Sequence, residues 1–205
     1  MRVKALFPTY IYYTALQRKG AKEFNRELAK ETAQIRDYDT PGQQWSDSNY
    51  PGGYTSYGSM DKLHQFSSTF MELESKLNRH VKAFAKELDY DLEDRELVMT
   101  DCWVNVMPPQ VTHSWHIHPT STISGTYYVR TPKRCSGIKF EDPRHAFMMA
   151  TPPRKPDARI ENQQFIEYPA AAGNVVLFES WVRHEVPPNP AKTERISISF
   201  NYNWF

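Results

Sequence analysis

After residue 95 the chain breaks into a series of short β-prone segments, and no other feature limits its possible folds as strongly. The segments span 97–107, 113–118, 122–130, 136–140, 145–150, 163–168, 174–178, 181–186 and 194–203. Between them lie Pro-Pro, Pro-Lys, Asp-Pro, Ala-Gly-Asn and Pro-Pro-Asn-Pro turns. Proline lacks a backbone donor and has a fixed φ, so such turns end one strand before the next begins. Many short strands with turn signals at regular spacing predict an antiparallel sandwich or barrel.

The first half reads differently. Residues 14–36 are rich in helix formers (Ala15, Leu16, Ala21, Phe24, Leu28, Ala29, Ala33) without a clean stripe. Over 61–89, Leu63, Phe66, Phe70, Leu73, Leu77, Val81, Phe84 and Leu88 recur every three or four residues, which marks one apolar face of a long helix. That face either packs on the sheet or pairs with a second subunit, so a homodimer stays open. Residues 38–59 are dense in Gly, Pro, Ser and Tyr and read as a long loop, either a cover for the core or a flap over a site. The chain is thus read as one α+β, mainly β domain over 1–205. Residues 1–95 are expected to be mainly helical, and residues 96–205 to form the sheet core.

Composition narrows the function classes. With 40% hydrophobic residues and 14% aromatics the chain has enough apolar material for a packed core. A formal net charge of +1 and the lack of like-charged blocks argue against a nucleic-acid partner. Cys102 and Cys135 show no zinc-ribbon or CxxC spacing, and two thiols in a chain of this size point to a reducing compartment. The opening stretch to Pro8 is too short for a signal peptide and no membrane-spanning run follows, so a cytoplasmic, soluble protein is expected.

The chemistry is carried by histidines. His116 and His118 are one residue apart in a β-prone segment, and side chains alternate along a strand, so both point to one face. His184 follows far downstream on another segment, and eleven residues later comes Arg195-Ile-Ser197. Three imidazoles with open positions suit a reactive Zn, Cu, Fe or Ni site. An arginine on the next strand is placed to clamp a carboxylate. Arg195, Ser197, Ser199 and Asn201 share one face of the last strand, and Ile196, Ile198, Phe200 and Tyr202 share the other. His113 has the opposite parity to His116 and should face away. His64 and His80 read as solvated or capping residues and His145 as exposed, while Trp103, Trp115, Trp181 and Trp204 read as core or sheet-packing residues.

The run His116-x-His-Pro-x-Ser-x-x-Ser-Gly-x-Tyr-Tyr-Val129, the block Gly173-x-Val-Val-Leu-Phe-x-Ser-Trp-x-x-His184-Glu-Val-Pro-Pro and the terminal Arg195-Ile-Ser-Ile-Ser-Phe-Asn201 resemble the iron(II)/2-oxoglutarate-dependent dioxygenase superfamily. The nearest likeness is to its small prolyl-hydroxylase-like branch. The resemblance covers about residues 96–205 and implies a double-stranded β-helix (jelly-roll) core with helices packed outside. It implies Fe(II) bound by His116, His118 and His184, with 2-oxoglutarate and O2 as cosubstrates. It matches Arg195 and Ser197 to the pair that binds the distal carboxylate of 2-oxoglutarate. Tyr128 lies on the strand that lends a further donor to it, and Asn105 on the strand before the histidines faces the pocket. The activity implied is hydroxylation of a small molecule or protein side chain, with decarboxylation of 2-oxoglutarate to succinate and CO2.

One position departs from the family pattern: residue 118 is His where most of the superfamily has Asp or Glu. The carboxylates weighed as substitutes are Glu141, Asp142, Glu179 and Glu185, with Glu185 expected on the opposite face from His184. Two other readings therefore stay open: a three-histidine dioxygenase that does not use 2-oxoglutarate, and a metal-free jelly-roll binding module.

Overall fold

The computed structural model describes residues 3–205; Met1 and Arg2, where the opening stretch judged against a signal peptide begins, lie outside it. Two antiparallel sheets carry the β content. The larger contains β1 (Ile11–Ala15), β8 (Asn174–Glu179), β5 (Ile123–Arg130), β10 (Arg195–Trp204), β3 (Leu97–Met107) and β2 (Tyr54–Thr55), in that order. The smaller contains β4 (His113–His116), β9 (His184–Val186), β6 (Ile138–Glu141) and β7 (Phe165–Tyr168). This is the jelly-roll arrangement, an α+β fold that is mainly β.

Neighbouring side chains of β5 show the layering. Tyr127 faces the helices and donates its hydroxyl to Asn25 Oδ1 at 2.5 Å. Tyr128 faces the other way and packs with Ile138 and Phe140 of the smaller sheet. The main core lies between the larger sheet and the helices, where Phe70, Leu73, Leu77, Val81 and Phe84 meet Val104, Ile198 and Phe200. The second core lies between the sheets.

The apolar stripe of 61–89 is real, but it is not one helix. It divides into α3 (Leu63–Phe66) and α4 (Ser68–Glu87) at Ser67, whose backbone is extended. The Ser67 hydroxyl accepts from the Thr69 and Phe70 amides and so caps α4. The break turns Phe66 out of the stripe, leaving it 73% exposed. The remaining stripe is buried in the chain's own core, so this face is not available to a second subunit.

Three other expectations change. Residues 14–36 begin as strand β1, and the helix α1 (Ala21–Tyr38) starts only after Gly20, whose φ of +76° suits glycine. The stretch 38–59 is not a long loop, because α2 (Thr40–Asn49) and β2 occupy most of it. Asp39 caps α2 by accepting from the Gly42 amide, and its other oxygen accepts from the Tyr54 and Ser59 hydroxyls, so both ends of the segment are tied to one carboxylate. Residues 145–150 form a single 3-10 turn, His145–Phe147, and not a strand.

Leu77 is fully buried at the middle of the α4 stripe. Leu77→Ala is expected to destabilise the protein by about 2–5 kcal/mol in denaturant unfolding. A loss below about 1 kcal/mol would show that the sheet does not depend on this helix.

Candidate active site and metal centre

The smaller sheet sets the histidines. His116 of β4 and His184 of β9 are direct cross-strand partners, and His184 is in turn opposite Phe140 of β6. Facing antiparallel residues share one side of the sheet at short range. His118 lies just past the end of β4, held by its amide donating to Ser180 O at 2.9 Å. The structure brings together all three histidines read from the sequence: one nitrogen from each can be chosen so that all lie within 4.8 Å of one another.

Hydrogen bonds to the other ring nitrogen orient each histidine. Nδ1 of His116 meets Ser114 O at 2.7 Å, and Nδ1 of His184 meets Val182 O at 2.9 Å. Nδ1 of His118 meets Asn201 Oδ1 at 2.8 Å. An oxygen of this kind only accepts, so each Nδ1 carries the proton and each Nε2 keeps its lone pair. Burial, followed by the charge of His116, lowers the His118 pKa to about 4. Burial also lowers His116 and takes His184 well below the usual range. At neutral pH the three rings are uncharged, the state a metal requires.

Behind His118 lies a network that the sequence reading did not contain. Asn201 Oδ1 also accepts from Ser124 Oγ, which bonds Ser180 Oγ at 2.7 Å. Asn201 Nδ2 points to Asp101 Oδ2 at 3.4 Å, and Asp101 pairs with Lys62 at 2.7 Å. Ser124, Asn201 and Asp101 form one row across β5, β10 and β3. The parity of Asn201 on β10 was the available signal for this row.

His113 corrects an expectation. A register shift between His113 and His116 breaks the alternation on β4. The His113 ring therefore turns into the site, with its centroid 4.3 Å from that of His116 and 5.5 Å from that of Tyr50. Trp103 is buried as expected, yet its ring is stacked against His118 at 6.0 Å and lines the site. Trp181 and Trp204 are exposed and not core. His64 is buried and not solvated, and His145 is half-buried against Phe165. His80 bonds the Tyr12 hydroxyl at 2.8 Å. The four carboxylates weighed as substitute ligands are engaged elsewhere: Glu141 with Arg183, Asp142 with Arg144, Glu185 with Lys139, and Glu179 with the Tyr90 hydroxyl.

Across the cavity, the larger sheet presents a second row. Tyr128, Ser197 and Asn105 are register partners on β5, β10 and β3, and Arg195 sits at the start of β10. Arg195 is only 3% exposed and has no ion-pair partner among the described residues. Its one hydrogen bond goes to Met107 Sδ at 3.5 Å, and its Nε has none. The guanidinium lies 5.0 Å from the Tyr128 ring centroid, and the buried Tyr128 hydroxyl also has no partner. Burial raises that phenol to about 12 against the opposing pull of Arg195, so it remains a donor. An unmatched buried charge is costly, and a bound carboxylate would satisfy both groups. Asn105 faces the same cavity, but its amide already donates to Ser199 Oγ at 3.0 Å.

Residues 101–201 match the family model described as "Putative 2OG-Fe(II) oxygenase". A search of curated proteins finds no match. Among solved structures, a Pseudomonas putida prolyl-4-hydroxylase is similar with a TM-score of 0.60 at 14% identity, covering 95% of this chain and 92% of that one. The non-heme α-ketoglutarate-dependent epimerase SnoN from nogalamycin biosynthesis gives a TM-score of 0.67 at 11% identity, over 95% of this chain and 76% of that one. A Trichoplax adhaerens prolyl hydroxylase in complex with a hypoxia inducible factor peptide gives 0.57 at 14% identity, over 94% and 83%. These likenesses show the fold, and the family match adds the chemistry. The chain belongs to the iron(II)/2-oxoglutarate-dependent oxygenase superfamily. It is an Fe(II)- and 2-oxoglutarate-dependent oxygenase, and the donor set just described fits both groups.

The buried histidines make stability depend on pH. Burial takes His113 to about 3 and His118 to about 4, both below the unfolded value near 6.5. Above pH 6.5 neither state is protonated and no penalty arises. As pH falls below 6.5 the unfolded chain takes up protons that the folded one refuses, so stability drops. Each such histidine contributes up to about 1.4 kcal/mol per pH unit. Thermal melts of the metal-free protein should fall steadily from pH 7.5 to 5, and a flat profile would contradict neutral, buried rings.

Proposed function

We propose that His116, His118 and His184 hold Fe(II) through their Nε2 atoms, and that Arg195, Ser197 and Tyr128 receive the distal carboxylate of 2-oxoglutarate, with Asn105 lining the same end. The observation that carries this is Arg195: a buried guanidinium that, among the described residues, has no acidic partner and lies beside an unpartnered buried hydroxyl, at the end of a cavity whose other wall is the histidine cluster. Iron with 2-oxoglutarate and O2 supplies oxidative decarboxylation coupled to hydroxylation of an unactivated C–H bond.

The chain's own residues bind and orient. Three neutral imidazoles leave the full charge of the ion to attract a dianionic cosubstrate, where a carboxylate ligand would cancel part of it. The planar fork of Arg195 can donate two parallel hydrogen bonds to a carboxylate, and the Ser197 and Tyr128 hydroxyls add donors from the same side. The Ser114 and Val182 carbonyls and the Asn201 amide oxygen hold the rings so that only Nε2 faces the cavity. Phe140 and Phe178 pack on His184 and keep water from its far side.

The substrate is an unidentified small molecule or protein side chain. Support for both classes comes from SnoN, solved with nogalamycin RO, and from the Trichoplax hydroxylase, solved with a peptide. Among the described residues no helix is long and apolar enough to cross a membrane. Free thiols at Cys102 and Cys135 support a cytoplasmic setting.

Anaerobic titration of the Fe(II)-reconstituted protein with 2-oxoglutarate should produce a saturable visible charge-transfer band. Bound iron without such a band would overturn the cosubstrate assignment. Arg195→Ala should weaken 2-oxoglutarate by about 30-fold or more while iron affinity stays within about threefold. Unchanged cosubstrate dependence in that variant would refute the role of Arg195. Asn201→Ala should lower iron affinity about 10- to 100-fold in chelator competition, because the His118 ring loses its orienting partner.

A further inference from the structure

Outside the metal centre lies a cavity of about 360 Å³ whose inner end is formed by His116 and His118. We propose that this cavity recognises a substrate by a primary ammonium group, carried by a lysyl side chain or by a small amine. The proposal rests on the reading of the three histidines as the metal site and adds the chemical class of substrate.

One wall is aromatic from the mouth to the metal centre. Trp45 and Tyr57 have ring centroids 6.1 Å apart at 67°, and Tyr57 and Trp103 are 5.1 Å apart at 60°. Trp103 then stacks on His118. Rings meeting at these angles form a corner, which suits a rounded ammonium better than a flat guanidinium. The corner is built into the fold. Gly58 lies directly under Trp45, and a Cβ there would approach its Cγ to 2.4 Å. The segment that carries Trp45 and Tyr57 is the one anchored at both ends by Asp39.

The charge of the cavity points the same way. Asp61 and Asp101 both line it, and among the described residues no lysine or arginine does. Lys62 is their only ion-pair partner among the described residues, at 2.7 Å from Asp101 and 3.8 Å from Asp61. Its ammonium also donates to the Thr100 carbonyl at 2.6 Å, so it is committed to the Asp101 side. Two carboxylates thus share one cation, which leaves one net negative charge on a cavity that the three aromatic rings also line. A cation is favoured at such a place by both the ring faces and the carboxylate. Arg195 gives the opposite end of the site the opposite sign. The anionic cosubstrate and a cationic substrate are therefore sorted to two cavities that meet at His116 and His118.

The test is calorimetric and fluorescence titration of the full chain, anaerobic and loaded with Fe(II) and 2-oxoglutarate. The probes are N-acetyl-lysine N-methylamide, its neutral isostere N-acetyl-norleucine N-methylamide, and n-butylamine. The lysine derivative is expected to bind at least about tenfold tighter than the norleucine one and to weaken as salt rises. Asp61→Asn, a nearly isosteric change, should weaken it about three- to tenfold, and Trp45→Leu similarly. Equal binding of n-butylamine supports recognition of a free amine, and binding of the lysine derivative alone supports a peptide-borne one. Equal affinity for the lysine and norleucine derivatives, or no effect of Asp61→Asn, overturns the proposal. The 2-oxoglutarate band should be unchanged in Asp61→Asn. Its absence from the parent protein would defeat the metal-site reading and not this one, since probe binding is measured by heat and tryptophan emission.

Discussion

The pairing of β10 with β3 on one side and β5 on the other is the constraint on which the rest of the molecule depends. Because side chains alternate along a strand, β10 gives Ile196, Ile198, Phe200 and Tyr202 to the helix-facing core. It gives Arg195, Ser197, Ser199 and Asn201 to the space between the sheets. A slip of one residue would exchange these sets, burying the polar row under the helices and emptying the site. The core and the chemistry are therefore held in register by the same hydrogen bonds. The helices matter to function for this reason, although none of the three histidines comes from them.

Electrostatics divides the interior along its length. At one end a buried guanidinium and phenol lack partners among the described residues, in the middle lie neutral imidazoles, and at the other end two carboxylates share one lysine. The buried guanidinium is unfavourable for an isolated protein and favourable for one that binds an anionic cosubstrate. The His118 side chain links the zones, since its Nδ1 reaches Asp101 through Asn201. Three neutral imidazoles thereby keep a carboxylate two hydrogen bonds away, behind the His118 ring.

Much of this was legible beforehand where a single local rule decided the outcome. Alternation placed His116 on the same face as His118, and alternation on the last strand separated Arg195 from Ile196. Proline-rich turns marked most strand ends, and the 3.6-residue stripe marked α4. The reading failed where two local signals competed. Glycine and proline in 38–59 suggested a loop, but Pro41 in the first turn and Asp39 as a cap are equally helix-start signals, and tertiary ties from Asp39 to Tyr54 and Ser59 favoured the helix. At Ser67 the hydroxyl offered a better cap than a continued helix, so a stripe eight residues long in its apolar positions was cut in two. At His113 a register shift defeated parity, and parity was the only rule available.

By itself the sequence determined the strand-rich half, the faces of the key strands and the histidine and arginine side chains that gather at one cavity. These follow from periodicities of two and 3.6 residues, which are properties of the local backbone. Tertiary structure alone decided that His113 turns inward, that Asn201 and Asp101 stand behind His118, and that Trp45, Tyr57 and Trp103 line one cavity with Asp61 and Asp101. Those relations join residues tens of positions apart. They depend on sheet register and on which helix end is capped, and no local period encodes either.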